Sequence, residues 1–167
     1  LRDAATRADA IITSGGVSVG EAAFTREVMA RLGEVLFWKI AMKPGRPLAF
    51  GRIGQPDAEG DGGAWLFGLP GNPVAAMVAF YQFARPALLC LAGVDPVAEP
   101  PLLQVSCTQA IRKAPGRSEF LRGVLFRDGA DWKVRTTGPQ GSGLLSSMAD
   151  ANCFIVLGQS QGNVAAG

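Results

Sequence analysis

The chain of 167 residues carries a formal net charge of only +2 at pH 7, and 48% of its residues are hydrophobic. This length and apolar content fit one large or two small domains with a packed core, and the low charge argues against bulk nucleic-acid binding. Because the chain contains no histidine, a histidine general base, a serine–histidine triad and a histidine-ligated metal site are excluded within it.

The cysteines and the longest apolar run bear on where in the cell the protein is located. Cys90, Cys107 and Cys153 are widely spaced and form no Cys-x-x-Cys pair, which argues against a zinc site. Their apolar surroundings predict buried free thiols in a reducing compartment, so we expect a cytoplasmic protein. The apolar run at 74–91 contains polar residues and a proline, which predicts a core helix rather than a membrane span.

The first half of the chain alternates between predicted strands and helices. Four short apolar segments predict strands, at 9–13, 35–42, 48–53 and 64–67. Residues 21–32 have helical spacing with Gly33 as the C-cap, and the long helix that begins near residue 74 is expected to kink at Pro86. The Gly-rich residues 54–63 predict a solvated, mobile hairpin tip.

The second half follows a Pro-rich linker at 94–101 and has a different pattern. Its strand candidates are 102–110, 119–127, 132–137 and 152–157. Residues 128–131 form a good hairpin connection, and 159–167 are expected to be a frayed tail. We therefore predict two domains, an α/β domain at 1–93 and a small all-β domain at 94–167.

Two Gly-rich turns each connect a predicted strand to a predicted helix. They read Ser-Gly-Gly-Val-Ser-Val-Gly at 14–20 and Gly-Leu-Pro-Gly-Asn-Pro at 68–73. Such turns present backbone N–H groups to an anion. The candidate ligand-binding residues are Gly15, Gly16, Ser18, Gly20, Pro70, Gly71 and Asn72. The alternatives are an ordinary strand–helix turn for the first and helix capping for Asn72.

A basic segment lies between two of the predicted strands. Lys39 and Lys43 share a face of an extended chain, and Lys43 and Arg46 flank a Pro-Gly turn that ends at Gly45. Two prolines stiffen this turn, so the cationic groups are held in place, as an oxyanion site requires. The alternative is a solvated basic turn. Together with the Gly-rich turns, the segment indicates a ligand that carries phosphate or another oxyanion.

The second half contains further basic and Gly-rich features. Five basic residues lie near one hairpin, namely Arg112, Lys113, Arg117, Arg122 and Arg127. For most of them we favour a solvated strand edge protected by charge. Residues 141–147 read Gly-Ser-Gly-Leu-Leu-Ser-Ser and are either another anion-binding turn, through Ser142, or the start of a short helix.

These motifs in this order closely resemble the MoeA family of molybdopterin molybdenumtransferases, relatives of the gephyrin E domain. The residues that carry the resemblance are 14–21, 37–47, 68–74, 116–123 and 141–152. The resemblance covers essentially the whole chain. It implies a partial MogA-like doubly wound α/β/α domain followed by a small β-barrel domain. The chain has no initiator Met, and we expect it to be a C-terminal fragment of a longer protein.

The resemblance implies an enzyme that inserts molybdate into adenylylated molybdopterin and releases AMP, with Mg²⁺ in a homodimeric parent protein. No nucleic-acid or membrane partner is expected, and the fragment alone is expected to be inactive. The implied catalytic residues are Lys39, Lys43 and Arg46. The implied substrate-binding residues are Gly15, Gly16, Ser18, Gly20, Gly45, Pro70, Gly71, Asn72, Arg122 and Ser142. No metal ligand is assigned in this chain.

The chain departs from the family pattern at three positions. Ala23 stands where the family usually has Asp, Arg46 replaces Lys, and Ala75 replaces Ser. Ala23 and Ala75 motivate a second hypothesis, a non-catalytic molybdopterin-binding or scaffold module. A third hypothesis, a MogA- or CinA-type relative with nucleotide chemistry, is disfavoured by the linker and the β domain. The sequence leaves open whether molybdate or tungstate is used.

Overall fold

The computed structural model describes residues 1–16, 31–54 and 62–167, without the side chains of Phe37 and Trp38. Within these ranges the chain divides into two compact units: unit 1 is Leu1–Ile40 with Gly45–Val97, and unit 2 is Ala41–Pro44 with Ala98–Gly167. The sequence predicted a division at residue 93. It did not predict that Ala41–Pro44, which come before that residue, belong to unit 2. The predicted helix at 21–32 and the tip at 54–63 lie largely outside the described residues.

The described secondary structure is as follows. The strands are β1 (Ala10–Ser14), β2 (Gly33–Lys39), β3 (Met42–Lys43), β4 (Pro47–Ile53), β5 (Ala64–Leu69), β6 (Ser106–Cys107), β7 (Ser118–Asp128), β8 (Asp131–Thr136) and β9 (Cys153–Leu157). The helices are α1 (Arg2–Ala5), α2 (Pro73–Ala79), a π-helical segment (Phe80–Ala84), α3 (Arg85–Leu91) and α4 (Ser146–Ala149).

Unit 1 contains a mixed sheet in the order β1–β5–β4–β2. β1 and β5 are parallel, whereas β4 is antiparallel to both β5 and β2. The sheet side chains form two buried clusters, one around Ile53 and Leu66 and the other around Phe67 and Leu69. The four strands predicted from the sequence are present, and the mixed α/β class is confirmed.

Gly33 begins a strand, so the prediction that it caps a helix is wrong. It pairs with Ile53 in the antiparallel register of β2 and β4. A Cβ atom at this position would overlap the carbonyl oxygen of Arg52. The glycine is therefore explained by close approach of two strand backbones, for which an isolated glycine is also a signal.

The helix that follows β5 is continuous in three parts, α2, the π-helical segment and α3. Asn72 is its N-cap, and Pro73 occupies the first helical position. The expected irregularity near Pro86 is present as the π-helical turn just before α3. Ala79 and Ala84 are fully buried against the sheet. Pro73–Leu91 is also the one described helix whose length and composition would allow it to cross a membrane, which by itself is weak evidence.

Unit 2 is built around the long strand β7. β3 and β9 pair with its first half and β8 with its second half, and β6 pairs with the far edge of β8. The predicted hairpin connection is confirmed, because Asp128 pairs with Asp131 across a two-residue turn. The strand expected at 102–110 is reduced to Ser106–Cys107. The other residues of this predicted strand are mostly exposed, so pairing them with a neighbouring strand would add little stability.

The three cysteines are free thiols, but they are not all buried. Cys107 lies in the core of unit 2, whereas Cys90 is exposed near the end of α3. The prediction of a buried thiol is therefore wrong for Cys90, which lies on the solvent side of its helix. Cys153 is half-buried, and this burial raises the pKa of its thiol.

The C-terminal segment is held by hydrogen bonds, so the prediction of a frayed tail is wrong. Val164 and Ile111 exchange two backbone hydrogen bonds of 2.9 Å, and Gly116 donates to the carbonyl of Gln159 at 2.8 Å. Lys113 is only 5% exposed, and its ammonium donates to the carbonyl of Gln161 at 2.7 Å. A buried cation thus fixes the tail through neutral acceptors.

We expect Lys113→Met to loosen this tail without unfolding unit 2. A hydrogen bond from a charged donor stabilises by about 1.5–3 kcal/mol, and Met provides no donor. Hydrogen exchange at the Val164 amide should become about tenfold faster or more. Lys133→Met is the control, because Lys133 pairs with Asp128 on the hairpin surface. Unchanged exchange at Val164 in Lys113→Met would show that the ammonium does not hold the tail.

Candidate functional site

The register of the unit 1 sheet brings the two Gly-rich turns to one edge. β1 and β5 are parallel and pair Ser14 with Leu69, so both strands end at the same edge. In α/β sheets ligands bind outside the carboxyl ends of the strands. The described part of the first turn, Gly15 and Gly16, and the second turn at 70–72 therefore lie side by side where a ligand is expected.

The same edge receives the two ends of the basic segment that belong to unit 1. β4 is antiparallel to β5, so its first residue, Pro47, lies at this edge and pairs with Lys39. The Ile40 amide donates to the Arg46 carbonyl at 2.8 Å and continues this pairing. Lys39 and Arg46 are exposed. Four strands span about 14 Å of sheet width, so the edge suits an elongated anionic ligand.

The two Gly-rich turns contact each other through their backbones. Gly15 donates to the carbonyl of Leu69 at 3.0 Å, and the Ser14 hydroxyl donates to the carbonyl of Pro70 at 3.2 Å. A Cβ on Gly71 would lie 3.2 Å from the Cα of Gly15. Gly15 and Gly16 have φ angles of 92° and 72°, a region that side chains disfavour. The first turn thus needs glycine for its backbone conformation, and the second turn needs it for close approach to Gly15.

Asn72 caps the helix, in agreement with the alternative reading of this residue. Its side-chain oxygen accepts a hydrogen bond from the Ala75 amide at 3.4 Å. Pro70 is buried and Gly71 is exposed. Ala75 is itself buried, with 5% of its surface exposed. The Asn72 oxygen is therefore engaged with the helix end, while the exposed backbone of this turn lies at Gly71.

Lys43 belongs to unit 2, unlike the other two cations of the basic segment. β3 pairs in parallel with β7, with Lys43 opposite Glu119. The Lys43 ammonium lies 3.4 Å from one Glu119 carboxylate oxygen and 3.5 Å from the other. Gly45, which returns the chain to unit 1, is buried and has a φ of 98°. The basic segment is therefore divided between the two units.

Arg122 is fully buried, with 0% exposure, so a solvated strand edge is wrong for this residue. Its Nε donates to the Ser147 hydroxyl at 2.9 Å and its Nη2 to the Gly141 carbonyl at 3.0 Å. Burial lowers the pKa of Arg122. Nη1 has no hydrogen-bond partner among the described residues. Arg122 thus holds the 141–147 loop, which carries the exposed Ser142.

The remaining basic residues near the hairpin divide into two groups. Lys113 is buried, and the solvated reading is wrong for it as well. Arg112, Arg117 and Arg127 are exposed, as a solvated position requires, but of these three only Arg127 lies on a strand, β7. Arg127 lies over the Trp132 ring at 5.5 Å.

Two polar residues with structural contacts were missed in the sequence. Gln140 accepts from the Arg122 amide at 2.8 Å and donates to the Arg122 carbonyl at 3.2 Å. Glu119 is buried beside Lys43. A signal existed for Glu119, because strand alternation places it on the same face as the core residue Leu121. No comparable local pattern points to Gln140.

Three positions of the sequence hypothesis lie outside the described residues, namely Ser18, Gly20 and Ala23. Within the ranges 1–16, 31–54 and 62–167, no group of three or more His, Cys, Asp or Glu side chains could hold a metal ion. The sequence candidates at the described edge of unit 1 are the backbones of the two turns and the cations Lys39 and Arg46. Chemically, such a site can bind oxyanions and stabilise negative charge that develops on them.

Comparison with known proteins identifies the two parts of the chain. The family model described as a probable molybdopterin binding domain matches residues 1–89. The family model described as the MoeA C-terminal region, domain IV, matches residues 104–167. The two matches follow the same order as the two predicted domains and cover most of the sequence.

Several curated proteins are similar over nearly all of the chain. A molybdopterin molybdenumtransferase of Haemophilus influenzae is 47% identical over 165 residues, covering 98% of this chain and 39% of that protein. Gephyrin of Dictyostelium discoideum is 33% identical over 182 residues, covering 100% of this chain and 25% of that protein. The chain thus spans 25% to 39% of the length of these two relatives.

Solved structures show the same fold. A molybdopterin biosynthesis MoeA protein of Pyrococcus horikoshii superposes with a TM-score of 0.70 at 26% identity, covering 97% of this chain and 36% of that chain. A molybdenum cofactor biosynthesis protein of Pyrococcus furiosus gives a TM-score of 0.68 at 24% identity, with 99% and 48% covered. The MogA-like domain followed by a β domain, expected from the sequence, is confirmed by these likenesses.

We expect Gly15→Ala to destabilise unit 1 by about 1–2 kcal/mol, because an L side chain is strained at positive φ. Gly15→Asn is the matched comparison, since Asn tolerates positive φ better than Ala. The free energy of unfolding, measured in urea, should fall less in Gly15→Asn than in Gly15→Ala. Equal losses in the two variants would indicate that contact with Gly71, rather than backbone conformation, requires the glycine.

Arg122→Lys should destabilise unit 2 by about 2–4 kcal/mol, because the single Lys nitrogen cannot reproduce the separate contacts of Nε with Ser147 and of Nη2 with Gly141. Arg127→Lys, on the same strand but exposed, should change stability by less than about 0.5 kcal/mol. Urea unfolding followed by amide NMR signals of β7 measures both. Equal stability of Arg122→Lys and the unmodified chain would contradict the assigned contacts.

Proposed function

The chain belongs to the family of molybdopterin-binding domains that continue into a MoeA C-terminal region, and on this premise we propose that it is part of a molybdenum cofactor biosynthesis enzyme. One observation carries the proposal: the β1–β5–β4–β2 register gathers two Gly-rich turns, Lys39 and Arg46 at one sheet edge. The cations and turn backbones at this edge suit substrates that carry phosphate or another oxyanion. An apolar substrate would form no favourable contact with these groups.

The proposed reaction is the insertion of molybdate into adenylylated molybdopterin. Water attacks a phosphorus atom of the phosphoanhydride that links molybdopterin to the nucleotide, the bond to the bridging oxygen breaks, and AMP leaves while a phosphate stays on molybdopterin. The two thiols of molybdopterin bind molybdenum without a change of oxidation state, and one molybdate oxygen leaves as water with their two protons. Negative charge on the bridging oxygen and on the leaving phosphate increases as this bond breaks. Preorganised cations and N–H groups lower the barrier of such a step, since they need no reordering during the reaction.

Each candidate residue has a role in this scheme. Lys39, Lys43 and Arg46 stabilise the oxyanions, with Arg46 offering a planar fork where Lys would offer a point charge. The exposed backbone around Gly71 provides N–H groups, whereas the Gly15 amide is already bonded to Leu69 and joins the two turns. The other substrate-binding candidates, which shape the turns or add polar contacts, are Gly16, Ser18, Gly20, Gly45, Pro70, Asn72, Arg122 and Ser142.

The Mg²⁺ expected for the parent enzyme has no place on the described residues, which lack a carboxylate cluster. We therefore assign no step to a metal ion on this chain. The carboxylates that would hold Mg²⁺ belong, in our proposal, to other parts of a longer, homodimeric and cytoplasmic protein. The described residues of this chain alone are accordingly proposed to be insufficient for turnover.

A second candidate is a non-catalytic module that binds molybdopterin. The specific observation in its favour is Ala75, whose methyl group is buried next to the helix N-cap where the family pattern has a hydroxyl. A missing donor at this point weakens substrate positioning more than it weakens the fold. This candidate predicts binding of molybdopterin without transfer of molybdenum.

The test is molybdenum transfer by the natural gene product that contains this chain, supplied with molybdate, adenylylated molybdopterin and Mg²⁺. We expect transfer, and Lys39→Met should lower kcat about 100-fold, as for loss of one oxyanion-stabilising donor. Lys133→Met, in the exposed β7–β8 hairpin, is the control and should leave kcat unchanged. Binding of molybdopterin with no transfer by the unmodified protein would favour the scaffold module instead.

A further inference from the structure

We propose that Glu119 is a positioning residue that holds the Lys43 ammonium in place. This inference rests on the proposed function, in which Lys43 stabilises a substrate oxyanion. It goes beyond that proposal because it gives a role to Glu119, which the proposed reaction does not use. The observations that carry it are an ion pair, the burial of the carboxylate, and the strand register that brings the two residues together.

The ion pair is formed by both carboxylate oxygens. Lys43 Nζ lies 3.5 Å from Glu119 Oε1 and 3.4 Å from Oε2. The two residues are directly opposite each other in the parallel pairing of β3 with β7. The Ser118 amide also donates to the Ala41 carbonyl at 2.9 Å. The backbone at both ends of the pair is therefore fixed, and side-chain freedom alone remains to be restrained.

The two partners differ sharply in exposure. The Glu119 side chain is 8% exposed, whereas the Lys43 side chain is 54% exposed. Lys43 is the one hydrogen-bonding or ion-pairing partner of the Glu119 side chain among the described residues. An ionised carboxylate without a partner is costly to bury. The charge of the buried Glu119 carboxylate is thus matched by Lys43.

The strands that flank Glu119 make its carboxylate the less mobile partner of the ion pair with Lys43. Met42, next to Lys43, is 2% exposed. Glu119 sits between β3 and β9, since it pairs with Lys43 on one side and Leu157 on the other. A Lys side chain with a free ammonium samples many rotamers. A fixed carboxylate beneath it restricts this sampling and leaves the other N–H donors of the ammonium directed to solvent.

The consequence is a preorganised cation. An ammonium that is already held needs less ordering when an oxyanion binds, and this saving appears in the rate if charge develops in the transition state. Removing the carboxylate should therefore act through Lys43 alone. That expectation separates positioning from a general structural role of Glu119, which would persist in the absence of Lys43.

The first measurement concerns the chain itself and needs no substrate. NMR relaxation of ¹³C-labelled lysine reports the order of each Cε atom. Glu119→Gln should lower the order parameter of Lys43 Cε about twofold and leave Lys39 unchanged. Asp128→Asn is the matched control, because Asp128 also lies on β7 and pairs with a lysine, Lys133, at 2.6 Å. It should release Lys133 and leave Lys43 unchanged.

The second measurement is a double-mutant cycle in the molybdenum-transfer assay of the natural gene product. We expect Lys43→Met to lower kcat about 100-fold and Glu119→Gln to lower it about tenfold. Glu119→Asp keeps the carboxylate and should retain part of the kcat that Glu119→Gln loses. In the Lys43→Met background, Glu119→Gln should change kcat less than about twofold. Asp128→Asn should leave kcat unchanged in both backgrounds.

The outcomes separate this inference from the proposed function. Equal mobility of Lys43 Cε in the unmodified chain and in Glu119→Gln overturns the positioning role, whether or not transfer is observed. An equal, additive loss from Glu119→Gln in both backgrounds of the cycle overturns it as well. Absence of transfer by the unmodified protein, with Lys43 ordered only when Glu119 is present, refutes the proposed function and leaves the Glu119–Lys43 coupling established.

Discussion

The parallel pairing of β1 with β5 is the constraint on which the unit 1 site depends. It ends both strands at one edge, and the turns that follow them then meet through Gly15 and Gly71. A side chain at either position would separate the turns or strain the backbone. The two turns meet at one place only because the two strands end together, so glycine and register are parts of the same requirement.

The second constraint is the division of the basic segment. The antiparallel pairing of β2 with β4 returns Lys39 and Arg46 to the edge where β5 ends. The four residues between Ile40 and Gly45 instead join unit 2, where Lys43 pairs with Glu119. Three cations that are neighbours in sequence are thus held by two different means. Strand register places the backbones of Lys39 and Arg46, whereas Lys43 is held by register together with a buried carboxylate.

Local patterns in the sequence were sufficient to predict some of these features. Alternating apolar runs predicted the strands, and the dense glycine and proline of the turns marked the site. Other features depend on contacts between residues far apart in sequence. Nothing near Met42 indicates that it pairs with Ser118, and nothing near Lys113 indicates that its ammonium meets the carbonyl of Gln161. Gly33 was misread because close approach of strands and a helix C-cap use the same residue.

Strand β7 shows why the register of unit 2 must be unique. Glu119 and Arg122 are both buried, and they lie on opposite faces of this strand. The anion is matched by the cation Lys43, whereas the cation is matched by neutral oxygens of Ser147 and Gly141. A slip of one residue would exchange the two faces and leave both charges without these partners. Pairing with β3, β9 and β8 along its length prevents such a slip, so the three partner strands protect the position of Lys43 as well as the fold.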